Sequence, residues 1–229
     1  MGDVYYHLGV ALQVLHQETE ADQAFEHALA EAADEHARNV RRLEISIQAL
    51  AAGRYSAAEF SLLRVSTFTD DPALQRRAQL FLGVCYLYTF RWDEAAQALR
   101  AYFPATPTPA QARVLDLLAP AHRPRYKSPH TARLLSSILP GAGQAYVGAP
   151  WPAVDALGLN LLTGSTVLGP LLARDPVSAT LNFLGLFRRY YDGNRYHAAQ
   201  LADDRNNLLD RRYLAQVLAI LPAAAEDKP

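Results

Sequence analysis

The chain is predicted to be all-α: about three helical hairpins in tandem, then an apolar helical hairpin and a terminal amphipathic helix. Three observations predict this. Apolar residues recur at i, i+3, i+4 and i+7, the spacing of one helix face. In the first half that pattern repeats with a period of about 37 residues, a sign of tandem helical units. From Ala119 the chain changes character, to prolines and bases and then to long uncharged runs. Ala and Leu are abundant, and both favour helix.

The first unit has one stripe at Tyr5, Leu8, Gly9 and Leu12 and a second at Ala21, Phe25 and Ala28. In the next, Ile45 and Ala49 precede Gly53-Arg54-Tyr55, and Ala58, Leu62 and Val65 follow. In the third, Leu82, Gly83 and Tyr86 precede Phe90-Arg91-Trp92, then come Ala95, Leu99 and Tyr102, with Pro107 closing the unit. Turns are expected near Gln17, Gly53 and Phe90. Gly9, Gly83, Ala58 and Ala95 are small where two helices of a hairpin must approach. A single hairpin cannot bury its apolar face, so neighbours must stack, and Pro109 to Leu118 reads as a helix closing the far end.

These positions resemble the tetratricopeptide repeat family, over roughly residues 2 to 109. The matching residues are Leu8-Gly9, Ala21, Phe25 and Ala28 in the first copy, and Leu82-Gly83, Tyr86, Ala95, Leu99 and Pro107 in the third. The middle copy departs from the pattern, with Ser46 at the glycine position and Asp70 at the closing proline, though Pro72 is near. The resemblance implies a right-handed TPR-like α-solenoid that offers its concave face to a protein or peptide.

Pro120, Pro124 and Pro129 interrupt helix in the next stretch. No acidic residue stands between Asp116 and Asp155, while Arg123, Arg125, Lys127 and Arg133 do. This basic stretch is read either as a solvated linker or as a segment meeting anionic lipid headgroups. Ser128 caps a helix with Pro129 in its first turn, and that helix stops at Pro140-Gly141. Pro140 to Gly148 is expected to be an irregular turn. Within it, Gln144 would bond the backbone groups freed by the proline break and Tyr146 would be structural. It lacks the Lys and Ser/Thr of a phosphate loop. Two apolar runs follow, Ala156 to Ala173 and Val177 to Phe187, the second continuing as helix to Tyr191 only with Arg188 and Arg189 at an interface, and the two are joined by the tight reversal Arg174-Asp175-Pro176. The first would span about 27 Å against a bilayer core of about 30 Å. Leu201 to Leu221 has amphipathic spacing, and Ala223 to Pro229 is expected to be a frayed tail.

Pro140, Gly141, Gly143, Gln144, Tyr146 and Gly148, followed after the apolar runs by Tyr191, Gly193, Asn194, Tyr196 and Ala198, form a second pattern. It is similar to small bacterial membrane-associated domains with a PGxGQxYxG signature ahead of a two-helix hydrophobic hairpin, preceded in some by tetratricopeptide-like repeats. That resemblance implies an architecture and a place in the bacterial cell envelope, and no activity. The domains are thus expected at 1–119, 120–128 (linker), 129–222 and 223–229 (tail).

No catalytic residue, cofactor or metal ligand is expected. Asp70-Asp71 and Asp203-Asp204 are adjacent and diverge on a helix. His7, His16, His27 and His36 share no ligand-forming face, and no nucleophile elbow or HExxH appears. Cys85 reads as a buried small hydrophobe. A net charge of -1 argues against nucleic acid. No secretory signal is read at Met1 to Leu8. The expected function is a non-enzymatic scaffold or adaptor at a membrane, binding protein on its repeats and anionic lipid near its hairpin. The alternative is a soluble adaptor with a helical C-terminal domain. A third reading is an enzyme with a pocket around Tyr146, Tyr191 and Asn194. The basic stretch favours a cytoplasmic flank and exported family members the opposite side, so the side stays open.

Overall fold

The structure, a computed structural model, describes residues 1–226, and among these there is no strand. It divides into two compact units, residues 1–123 with the chain from Leu214 onward, and residues 124–213. The border expected at 119 thus falls after Arg123, and the end of the last helix belongs with the first unit.

In that unit α1 (Gly2–Val14) packs on α2 (Glu18–Ala30), α3 (Glu35–Ala51) on α4 (Tyr55–Phe68), and α5 (Pro72–Tyr88) on α6 (Trp92–Tyr102). Successive pairs meet through α2 against α3 and α4 against α5. The three reversals share one device. His16, Gly53 and Phe90 adopt positive φ, at 58°, 76° and 59°. The following N–H then reaches back into the helix just ended, from Gln17 to the Leu12 carbonyl, from Arg54 to Ala49 and from Arg91 to Tyr86. This closure satisfies carbonyls that a helix end leaves open. At His16 and Phe90 a side chain bears the left-handed conformation, which costs about 1–2 kcal/mol.

Each hairpin closes on a small residue facing a large one. A Cβ on Gly9 would lie 2.5 Å from the Phe25 ring, and one on Gly83 would lie 2.7 Å from Leu99. In the middle hairpin Ser46 holds this place, and its hydroxyl donates to the Arg42 carbonyl at 2.7 Å, so no polar group is stranded. Phe25, Leu62 and Leu99 are buried, each worth about 1.5–3 kcal/mol. One ion pair ties each later turn to the preceding hairpin, Arg54 to Asp22 at 2.8 Å and Arg91 to Glu59 at 2.7 Å. Such exposed pairs add less than about 1 kcal/mol each, but they recur one repeat apart and mark the register. One expectation fails: Leu8 is 47% exposed, and Gly9 is the buried residue of α1.

The far end of this unit is covered. α7 (Pro109–Leu117) starts in a capping box formed by Thr108 and Gln111. Gln111 also donates to the Ala224 carbonyl at 3.2 Å, and the Tyr102 hydroxyl donates to the Ala225 carbonyl at 3.1 Å. These bonds hold the end of α12 (Arg188–Glu226), and Ala224 is fully buried. The expected frayed tail is therefore helical from Ala223 to Glu226; Asp227 to Pro229 lie outside the described residues. The amphipathic stretch Leu201 to Leu221 is a section of this longer helix.

A short 3₁₀ turn, Pro120–His122, ends the first stretch of the first unit just before the border, and the second unit follows. Ser128 caps α8 (Pro129–Ile138) as expected, its hydroxyl accepting from the Thr131 N–H at 3.2 Å. α9 (Ala142–Val147) lies inside the segment expected to be irregular. It is short because Gly141 and Gly148, at φ 93° and 87°, bound it on both sides. α10 (Pro150–Leu172) reverses at Arg174 into α11 (Pro176–Asn182), which passes through a π-helical turn, Phe183–Phe187, into α12. The first arm starts earlier than expected, since Pro150 and Pro152 sit in its first turn, where proline costs nothing. The second arm is broken by the π turn.

Candidate membrane-contacting hairpin and the polar cluster at its base

The PGxGQ segment folds into a crossing of α8 and α9. A Cβ on Gly143 would lie 2.0 Å from the Ala132 carbonyl oxygen and 2.5 Å from the Ser136 hydroxyl, so only glycine fits. Gly141 likewise passes the Ala153 carbonyl, 2.3 Å from where its Cβ would stand. That proximity lets the Gly143 N–H donate to the Ser136 hydroxyl at 3.0 Å, and the hydroxyl donates in turn to the Gln144 side-chain oxygen at 2.9 Å. The Gln144 amide donates to the Asn194 side chain at 2.6 Å and to its carbonyl at 3.2 Å. Asn194 donates to the Ser136 carbonyl at 3.4 Å. Ser136, Gln144 and Asn194 are all buried, so each bond forms where water cannot compete.

The partner of the Gln144 amide is thus Asn194 and not the backbone freed at Pro140. The Tyr146 hydroxyl accepts from the Ser128 N–H at 3.3 Å, and Lys127 Nζ lies 4.4 Å from its ring centroid. The Tyr191 hydroxyl donates to the Ser137 carbonyl at 2.6 Å. Tyr146, Tyr191 and Asn194, the groups of the enzyme reading, each hold a hydrogen bond within the second unit. Tyr196 does not join the cluster. It is 64% exposed, while Ala198 and Ala202 on the opposite side of α12 pack with Ala132 and Val147.

The four basic residues stand in different settings. Arg123 belongs to the first unit, where it donates to Asp93 at 2.8 Å and holds that carboxyl below its usual range. Lys127 lies on Tyr146, and its backbone exchanges bonds with Asn206 at 2.9 and 2.8 Å. Arg125 and Arg133 are exposed in the second unit.

Above the cluster rises the hairpin of α10 and α11. Its inward residues are polar or small: Asn160, Thr163 and Ala179 are buried. Asn160 and Thr163 donate to carbonyls of their own helix at 2.8 Å, and Asn182 donates across the hairpin to the Thr166 carbonyl at 2.8 Å. Its outward residues are large and apolar. Trp151, Leu161, Leu162, Leu172, Val177 and Leu181 are between 64% and 79% exposed. Charge appears only at the two ends, with Asp155, Arg188 and Arg189 at the base and Arg174-Asp175 at the tip. The inward placement of Asn160 and Thr163 was missed from sequence, although their i, i+3 spacing on an uncharged helix was a readable signal.

A cavity of about 610 Å³ opens at the hairpin base, lined by Asp155, Leu159, Asn160, Leu186, Arg189 and His197 among others. Among the described residues no cluster of His, Cys, Asp or Glu could hold a metal ion, and no helix is long and apolar enough to cross a membrane. No protein-family model, curated protein or solved structure matches this chain.

Proposed function

We propose that this protein is a non-enzymatic interaction scaffold associated with a membrane of the bacterial cell envelope. In this reading the first unit is a TPR-like solenoid of three hairpins that binds a protein or peptide, and the α10–α11 hairpin rests in lipid. One observation carries the membrane assignment: the hairpin is polar and small inside and apolar outside. In water each exposed leucine forgoes about 1.5–3 kcal/mol of burial, and in the acyl region that loss is recovered. Charges at both ends of the apolar section suit a hairpin lying in the interface of one leaflet, where the base and Arg174-Asp175 both stay among headgroups. Arg125 and Arg133 add attraction to anionic lipid, about 1 kcal/mol each.

Vesicle co-sedimentation tests this. The unmodified chain is expected to pellet with neutral and anionic vesicles, more with the latter. Leu161→Glu with Leu181→Glu should abolish pelleting with both. Arg125→Gln with Arg133→Gln should weaken only the anionic case. A chain that stays in the supernatant with both vesicle types would favour the soluble adaptor.

A further inference from the structure

The cavity at the hairpin base is lined by a buried group with nothing to bond. Asn160 is 5% exposed; its side-chain nitrogen donates to the Ala156 carbonyl at 2.8 Å, and its side-chain oxygen has no partner. Buried acceptors left unpaired are unfavourable and uncommon, so this oxygen calls for a donor, and the cavity is where one can enter. The volume, about 610 Å³, lies within the usual range of small-ligand sites, about 300–1,000 Å³. Asp155, Arg189 and His197 line the same cavity. All three are exposed, and among the described residues none of their side chains has a hydrogen bond or an ion pair. Opposite charges therefore stand on one cavity without pairing. Its wall includes Gly185 and Leu186 from the π-helical turn, and such turns are rare and gather at functional sites. Asn160 also borders an apolar groove of about 440 Å³, walled by Leu139, Leu157, Leu161, Leu168 and Phe187 among others. Cavity and groove both lie within the second unit.

We infer that the cavity takes the headgroup of a zwitterionic aminophospholipid, in which an ammonium bearing N–H groups is joined to a phosphate by a short linker. The ammonium donates to the Asn160 oxygen and faces the Asp155 carboxylate. The phosphate accepts from the Arg189 guanidinium and the His197 ring, and hydrogen bonds to an ionised group are the strong ones. One carboxylate and one guanidinium match a headgroup with one charge of each sign. A purely anionic headgroup would instead meet Asp155 as a like charge. The groove beside Asn160 gives the acyl part a place. From Leu157 to Leu168 it follows α10 for about 16 Å. A free small zwitterion would fill the cavity and leave the groove empty, whereas a lipid uses both. This inference rests on the membrane reading, since it needs the hairpin base to lie among headgroups.

The test is co-sedimentation of the full chain with vesicles of phosphatidylcholine alone, and of phosphatidylcholine mixed with either phosphatidylethanolamine or diacylglycerol. The trimethylated ammonium of phosphatidylcholine has no N–H to give Asn160. Diacylglycerol loosens headgroup packing without supplying a headgroup. The ethanolamine lipid is expected to strengthen binding by about tenfold over phosphatidylcholine alone, the worth of one good hydrogen bond to a charged group, and diacylglycerol is not. Asn160→Leu, which keeps the size of the side chain, and Asp155→Asn, at an exposed position, should each bring that ratio to about one. A ratio near one in the unmodified chain, an equal gain with diacylglycerol, or a gain that survives both substitutions overturns the inference while the membrane reading stands. Reversal of the gain by submillimolar soluble glycerophosphoethanolamine would assign the cavity to a free zwitterion and overturn the lipid. A chain that pellets with none of the vesicles removes the membrane reading itself, and this inference with it.

Discussion

The two units apply opposite rules to the same kind of helix. In the first, Phe25, Leu43, Leu62, Leu82 and Leu99 are inside, and charged pairs such as Arg54 with Asp22 lie at the surface. In the second, the buried residues are mostly small or polar, among them Ala132, Ala179, Ala198, Ala202, Ser136, Gln144, Asn160 and Asn194, with Val147 and Tyr213 as larger members, while the leucines of the hairpin face out. Water drives the first arrangement, since burying large apolar side chains is the main term that favours folding. The second is held by close contact of small residues and by hydrogen bonds among buried polar ones. Helix propensity does not separate the units; what differs is what the side chains turn away from.

The sharpest way to break this comparison is at Gly143. Gly143→Ala brings a methyl against the Ala132 carbonyl, which is backbone and cannot swing aside. We expect a loss of about 3 kcal/mol in the second unit, at the upper end for overpacking. Hydrogen exchange should then rise in α8 and α9 and stay unchanged in α2 to α6. Equal loosening of both units would show that the polar cluster is not what holds the second.

Gly83→Leu makes the matching test in the first unit. Here the obstacle is the Leu99 side chain, which can shift, so the expected cost is lower, about 1–3 kcal/mol. Adding Leu99→Ala should restore part of it. Thermal unfolding that is unchanged by Gly83→Leu would remove the small-against-large account of the hairpins.

The smallest effect is expected at a turn. Phe90→Gly relieves a left-handed side chain at φ 59° and should stabilise the first unit by up to about 1 kcal/mol, part of the relief being offset by the greater freedom of glycine when unfolded. His16→Gly should act in the same direction. A clear loss at Phe90 instead would mean that its tilted packing against Trp92, at 5.7 Å between ring centroids, outweighs the backbone strain.

What was legible in the sequence follows from range. The turns at Gln17, Gly53 and Phe90, the cap at Ser128 and the reversal at Arg174 are set by neighbours a few residues away, and the pattern exposes them. Gly143 and Gln144 stood out as a motif, yet the partner of Gln144 lies fifty residues on, and spacing cannot name it. Leu8 carried the repeat pattern and is nonetheless exposed, because its burial depends on a neighbouring hairpin and not on its own helix. Tyr196 sat beside Asn194 in the motif, but neighbours along a helix point apart. The helical end at Ala224 was hidden for the same reason as Gln144, since Gln111 holds it across more than a hundred residues.

The bond from Gln111 to Ala224 also orders events during synthesis. Each of the first hairpins has its contacts within its own or the adjoining repeat, so it can settle while later residues are still being added. The cap cannot, because its closing strap is the last turn of α12. Between the two stages the leucines of α10 have left the ribosome while Asn194, the residue that locks the hairpin base, is still to come. A nascent chain of this protein therefore passes through a period in which the leucines of α10 are out of the ribosome and not yet anchored at the hairpin base.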